Sequence, residues 1–212
     1  MNIVVFGATG GTGRHVLDLA AEAGHSTVAF ARDPLALVDA RPHSIRQGDV
    51  LDPDAVARAV EGADAVVSAL GIGYSRAATT VYSAGTDHIL KAMRAAGVGR
   101  VLCVSTTSMS PAPWRAAPVQ RALTSWVLHP MLRRPYADMA RMERLLLDDT
   151  GLDWTLIRAA RLTGGRARGR YRTGVGSRLS GAWSISRADL AHYLVGALAD
   201  PATHRAVVEI AY

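Results

Sequence analysis

Lysine is nearly missing from this 212-residue chain: Lys91 is the only one among 24 basic residues, and the other 23 are arginines. Cysteine is as scarce, and the single Cys103 excludes an internal disulfide framework and any multi-cysteine zinc site. It sits in the apolar run VLCVS and reads as a buried, inert thiol. No stretch approaches the ~18 apolar residues of a spanning helix. Met1 leads straight into an apolar run without a basic segment or cleavage site, so nothing reads as a secretory signal. The expectation is a soluble, cytoplasmic protein without a membrane partner. Internal repeats and low-complexity linkers are also lacking, so the whole of 1–212 reads as one domain.

What is present is a large apolar fraction, 49%, with a mean hydropathy of +0.11, which suffices for a sizeable core. The net charge is +6 and the isoelectric point is near 10.1. Such a balance raises the question of nucleic acid. Most arginines are scattered, and there is no zinc-finger spacing or aromatic RNA-binding motif. One denser cluster comprises Arg158, Arg161, Arg166, Arg168, Arg170, Arg172 and Arg178. It reads as a solvated face serving a small anionic ligand, with no nucleic-acid partner.

The first half alternates short apolar runs with helical patterns. Strands are expected at 3–6, 26–32, 43–50, 63–71 and 100–106. Helices are expected at 13–23, 53–61 and 79–96, with a short one after Asp33-Pro34. Val16, Leu17 and Ala20 fall on one stripe of the first helix. Asp52-Pro53 is an N-cap followed by a first-turn proline. This alternation predicts an α/β fold, a parallel sheet covered by helices on both faces. Residues 111–135 carry five prolines and two tryptophans, which favours short helical pieces. A helix at 136–149, a strand at 152–158, a glycine- and arginine-rich loop at 163–182 with a short strand near 170–172, a helix at 186–200 and a strand at 206–211 complete the reading.

The sharpest motif is Gly7-Ala8-Thr9-Gly10-Gly11-Thr12-Gly13, placed between the first strand and first helix. There, Gly7 permits a tight turn, Gly10 a close backbone approach to a diphosphate, and Gly13 close helix packing. Unpaired N–H groups of the helix face the anion. At the end of the second strand, Arg32 offers a planar fork to a 2′-phosphate, and Arg14 adds charge nearby, which favours NADP(H) over NAD(H). Asp33 reads as a helix cap. Asp49, in Gly48-Asp49-Val50, is either an acceptor for the adenine amino group or a turn residue. Ala69, Leu70 and Gly71 leave room for the cofactor at the end of the fourth strand.

These residues resemble the NAD(P)H-binding atypical short-chain dehydrogenases/reductases, above all the flavin reductase/biliverdin reductase B family and NmrA-like proteins. The resemblance runs through GATGGTG at 7–13, ARDP at 31–34, GDVLDPDAVARAVEGADAVVSALG at 48–71 and TTVYSAGTDHILKAMRAAGVGRVLCVST at 79–106. It continues through GLDWTLIRAARLTGG at 151–165 and ISRADLAHYLVGAL at 185–198. It implies a Rossmann-type doubly wound parallel sheet with a small C-terminal part, and substrate-covering segments at about 107–135 and 159–185. It implies that Gly7, Thr9, Gly10, Thr12 and Gly13 hold the diphosphate, with Ala8 and Gly11 completing the turn. Arg32 would hold the 2′-phosphate, Asp49 and Val50 would flank adenine, and Ala69, Leu70 and Gly71 would line the ribose. Thr106, with Ser105 beside it, would lie near the nicotinamide, as would Ala159, Ala160 and Leu162. The chain departs from the family where Ala159 and Ala160 replace prolines and Arg161 replaces a histidine.

Many short-chain reductases pair a tyrosine with a lysine four residues on. Tyr136 has alanine at 140, and no tyrosine here has such a lysine. Arginine stays protonated and cannot replace it. Hydride transfer to a planar flavin or quinone demands less acid help, since charge delocalises over the acceptor. Thr106 or Ser105 then orients the reactants, and Tyr136 supplies a proton. Arg161 either stabilises negative charge or is a plain surface residue. Trp114, Trp126 and Met131 either cover the acceptor or pack a core. No histidine shows metal-ligand spacing, and no metal is expected. Asp138 and Glu143 fall on opposite sides of a helix and form no catalytic pair. A non-catalytic NADP(H) sensor is the competing reading, and the assembly is a monomer or a homodimer.

Overall fold

A computed structural model describes residues 1–37, 40–73, 75–109 and 129–212, with the side chains of 129–131 left aside. Among the described residues, ten strands and five α-helices run in the order β1 (Asn2–Phe6), α1 (Gly11–Glu22), β2 (Ser26–Ala31), β3 (Ser44–Gln47), α2 (Pro53–Val60), β4 (Ala65–Ser68), α3 (Val81–Ala96) and β5 (Arg100–Thr106). Then follow α4 (His129–Leu147), β6 (Asp153–Ala159), β7 (Arg161–Thr163), β8 (Arg172–Val175), β9 (Ser184–Ser186), α5 (Arg187–Ala197) and β10 (Ala206–Ala211). The main sheet has the order β3-β2-β1-β4-β5-β6-β10-β8. All neighbours are parallel except β8, which runs antiparallel to β10. This is the expected Rossmann-type doubly wound sheet.

Period-two alternation sends each strand's residues into two cores. On β1, Val4 and Phe6 join Val56, Ile89, Met93 and Leu146, from α2, α3 and α4. Ile3 and Val5 face the other way, onto Val16, Leu17 and Ala20 of α1 and Leu190 and Leu194 of α5. Both faces of the sheet are therefore covered, which is why its strands read as continuous apolar runs.

Helix boundaries follow local chemistry. Asp52 caps α2 by accepting from the Asp54 and Ala55 N–H groups, with Pro53 next in line. Gly97, at φ 71°, ends α3 in the left-handed conformation. Ser186 accepts from the Asp189 N–H at the start of α5.

Two differences from the sequence reading are instructive. The helix expected to start at 136 already begins at His129 and carries Pro135 inside it. Pro135 is buried within that helix, where it contributes no N–H to the ladder. The loop expected at 163–182 is flanked by two unexpected strands, β7 and β9, which pair in parallel as a separate small sheet, while β8 takes the place of the short strand expected near 170–172. Three-residue strands are too short to show a period. The segment with Trp114 and Trp126, and the Met131 side chain, lie outside the described residues.

Candidate dinucleotide site

The sheet order reverses at β1, which lies between β2 and β4. In open α/β sheets, ligands bind beyond the carboxyl ends of strands at such a point. Here the chain leaves β1 at Gly7, with φ 75°, and passes against the Ala69 backbone after β4. A Cβ on Gly7 would stand 2.3 Å from the Ala69 carbonyl oxygen, and one on Gly13 would stand 2.3 Å from the Gly7 carbonyl oxygen. The fold itself demands these two glycines.

Gly10 is different. A Cβ there would meet only the Gly7 carbonyl oxygen, at 3.2 Å, and its φ of −73° suits any residue. What Gly10 keeps bare is the outer face of the turn at the head of α1. No side chain caps that helix, and its first-turn N–H groups lack intrahelical acceptors. Thr9, Gly10 and Gly11 are exposed, while Ala8, Thr12 and Gly13 are buried. Uncapped donors beneath a surface cleared of side chains fit a cofactor diphosphate.

The flanking residues take definite places. Arg32 follows β2, is exposed, and forms no side-chain hydrogen bond or ion pair among the described residues. Arg14 instead clamps the turn, donating from Nε to the Thr9 carbonyl at 3.1 Å and from Nη2 to the Ala36 carbonyl at 2.6 Å. Asp33 accepts from the Leu35 N–H at 3.0 Å. Asp49 accepts from the Leu51 N–H at 2.9 Å, so its turn role is realised, with one oxygen left over. Val50 and Leu70 pack toward Gly85, where a Cβ would collide with Val50 at 2.9 Å. His88 Nδ1 donates to the Val50 carbonyl at 2.9 Å. Gly71 is exposed with open space beside it.

At the end of β5 the two hydroxyls separate. Ser105 is buried and donates to Glu143 Oε1 at 2.6 Å. Glu143 also receives Arg158, from Nε at 3.1 Å and from Nη2 at 2.6 Å. Thr106 is half-buried, and its Oγ1 accepts from the Ser108 N–H at 3.2 Å. The Ser108 side chain in turn bonds Tyr136. Thr106 and Tyr136 are thereby brought to one place through Ser108, a residue the sequence reading did not single out. Burial raises the Tyr136 phenol above its usual range, aided by Tyr82 and opposed by the Ser108 bond.

Lys91 is remote from this chemistry: its side chain is 68% exposed and pairs with Asp87 at 2.8 Å. Cys103 is fully buried, and burial pushes its thiol up to about 12 despite a bond with Ser68. Ala159 and Ala160 are buried, and the Ala160 N–H donates to the Ile210 carbonyl at 3.1 Å. Leu162 is half-buried, whereas Arg161 is exposed and unpaired among the described residues. Among the described residues no His, Cys, Asp or Glu cluster could hold a metal, and no helix is long and apolar enough to cross a membrane.

A family described as NAD(P)H-binding matches residues 7–201, from the turn at Gly7 through α5. The chain belongs to this NAD(P)H-binding family. The chain is similar to a 2-alkyl-3-oxoalkanoate reductase of Stenotrophomonas maltophilia, 34% identical over 116 residues, covering 52% of this chain and 34% of that protein. An isoflavone reductase homolog of Zea mays is 37% identical over 79 residues, covering 32% of this chain and 26% of that protein. The matched parts thus span about a third or less of these curated relatives. An anaerobillin reductase of Escherichia coli superposes with a TM-score of 0.77 at 21% identity, covering 100% of this chain and 97% of that one. A wide-type short-chain dehydrogenase/reductase of Veillonella parvula, solved with NADP, gives 0.79 at 16% identity, over 100% and 94% of the two chains. At these identities the superpositions establish the fold.

Proposed function

We propose that this NAD(P)H-binding protein is an NADPH-dependent reductase that passes hydride to a flavin, a quinone or a similar conjugated aromatic acceptor. The observation that carries the reading is the surroundings of Tyr136. Its phenol lies with Ser108 beside the end of β5, is held protonated by burial, and has no lysine near it. Lys91 is surface-exposed and occupied by Asp87.

Ketone reduction places a localised alkoxide on the substrate and calls for a matched acid. A phenol pushed above its usual range is a poor one. A conjugated acceptor spreads the charge over a ring system, so a hydroxyl or solvent water suffices to complete the two-electron reduction with a proton. When bound, the nicotinamide cofactor supplies the hydride. The first-turn N–H groups of α1 hold its diphosphate, and the free guanidinium of Arg32 binds a 2′-phosphate. Thr106 orients the reacting rings, and Tyr136 holds the proton. Arg161, exposed and without an ion pair among the described residues, would face an anionic acceptor. Reductase activity among the relatives supports the reaction class.

The test is to follow NADPH oxidation by the purified protein with FMN, FAD and a panel of quinones. Turnover with at least one conjugated acceptor and none with simple ketones is expected. Tight NADP⁺ binding without turnover on any acceptor would assign the chain to the non-catalytic sensor class instead.

A further inference from the structure

Helix α5 packs along α1 through Leu190, Ala191 and Leu194 against Val16, Leu17 and Ala20. This docking brings the first residue of α5, Arg187, to the head of α1. A Cβ built on Gly11 would stand 2.7 Å from Arg187 Cδ and 3.3 Å from its Nε. The arginine stem therefore lies directly across the glycine that opens α1, 176 residues earlier in the chain.

Arg187 is half-buried and makes no side-chain hydrogen bond or ion pair among the described residues. The nearest acid along its own helix, Asp189, is committed elsewhere. Its carboxylate accepts from the Arg168 and Gly169 N–H groups, from Ser186 Oγ and from Tyr212 Oη. A half-buried cation with no counter-charge, resting on uncapped N–H donors, is an arrangement that an anion completes.

We infer that Arg187 is a side-chain ligand of the cofactor diphosphate, and that Gly11 lacks a side chain in order to admit it. The inference rests on the nicotinamide-cofactor reading of this turn. It also separates two arginines by task. Arg187 answers the diphosphate, which NADH and NADPH share, whereas Arg32 answers the 2′-phosphate, which only NADPH has.

Calorimetric titration of NADPH and NADH into the full-length protein tests this without reference to turnover. Arg187→Ala should weaken both nucleotides by about the same factor, tenfold or more. Arg32→Ala should weaken NADPH alone. Gly11→Ala fits the backbone but displaces the Arg187 stem, so it should weaken both nucleotides and add nothing on top of Arg187→Ala. The apo melting temperature of Arg187→Ala should stay close to the wild type, since no side-chain hydrogen bond or ion pair among the described residues is lost. Equal nucleotide affinity in wild type and Arg187→Ala would overturn the assignment, and so would a loss confined to NADPH. Failure of the wild type to bind either nucleotide would overturn the cofactor reading itself, and this inference with it.

Discussion

Ser105 Oγ donates to Glu143 Oε1 at 2.6 Å, tying the end of β5 to the buried face of α4. The same carboxylate is gripped by Arg158 of β6, so one acid joins a helix to two neighbouring strands. Ser105 is thereby a strut, and under the proposed function it is its half-buried neighbour Thr106 that would face the reactants.

Replacing Ser105 by alanine should lower stability by about 1–2 kcal/mol, the cost of one buried hydrogen bond to a charged group. Thr106→Val should leave the melting curve close to wild type and reduce turnover. Thermal melts and steady-state rates on both variants decide the matter. An unchanged melt with lost activity for Ser105→Ala would place its hydroxyl in the site instead.

Removing Arg32 should shift cofactor choice. Binding of NADPH should fall by about tenfold to a hundredfold, as expected for loss of a charge-assisted phosphate contact, while NADH binding stays within about twofold. Gly10→Ala should fold normally, because its Cβ meets little, yet weaken both nucleotides. Fluorescence titration of the two nucleotides reads these outcomes.

Under the proposed function, Tyr136 should leave the alkaline side of the pH profile flat. Its phenol is raised above its usual value by burial, so it keeps its proton throughout the neutral range. Turnover should therefore show no alkaline loss from this group below about pH 10. Tyr136→Phe should cost about tenfold in kcat, less than the ~10²–10⁴ of a dedicated general acid. An alkaline decline centred near neutrality that disappears in Tyr136→Phe would refute this role.

The acid side belongs to Asp189. Burial alone would raise its pKa, but donors from Tyr212, Arg168, Gly169 and Ser186 outweigh it and hold the group below the usual carboxylate value. A depressed folded-state pKa stabilises the protein above the unfolded value, near 3.9, and the benefit fades as pH falls through the lower, folded value. Wild-type melting temperature should drop as pH is lowered below about 4, and Asp189→Asn should be less stable near neutrality but flatter in acid. Melting curves from pH 7 to 3 compare the two.

Features carried by adjacent residues were readable from the chain. The glycine turn, the Asp52-Pro53 cap, the inward stripe of α1 and the misplaced Lys91 each depend on neighbours a few positions away. Features carried by distant partners were not. The arginine cluster was expected to be a solvated face, yet Arg158 is bonded to Glu143, Arg168 stacks over Tyr212 at 4.1 Å, and Arg172 donates to the Ser180 and Tyr212 carbonyls. Arg100 is buried at the base of β5, donating to the Ala197 and Leu198 carbonyls almost a hundred residues away. Asp138 and Glu143 do point in different directions, as their spacing implies, but both are interior. Asp138 caps α3 through the Tyr82 and Ser83 N–H groups. No periodicity reveals such a cap, because donor and acceptor lie more than fifty residues apart.

The position of β10 has a consequence for biogenesis. It is last of the strands in chain order, yet it sits inside the sheet between β6 and β8. Until residues 206–211 have left the ribosome, β6, five of whose seven residues are buried in the folded protein, has an unpaired parallel edge. The newborn chain must therefore wait for its late strand with a sticky flank unprotected. Closing that edge can only follow the synthesis of residues 206–211.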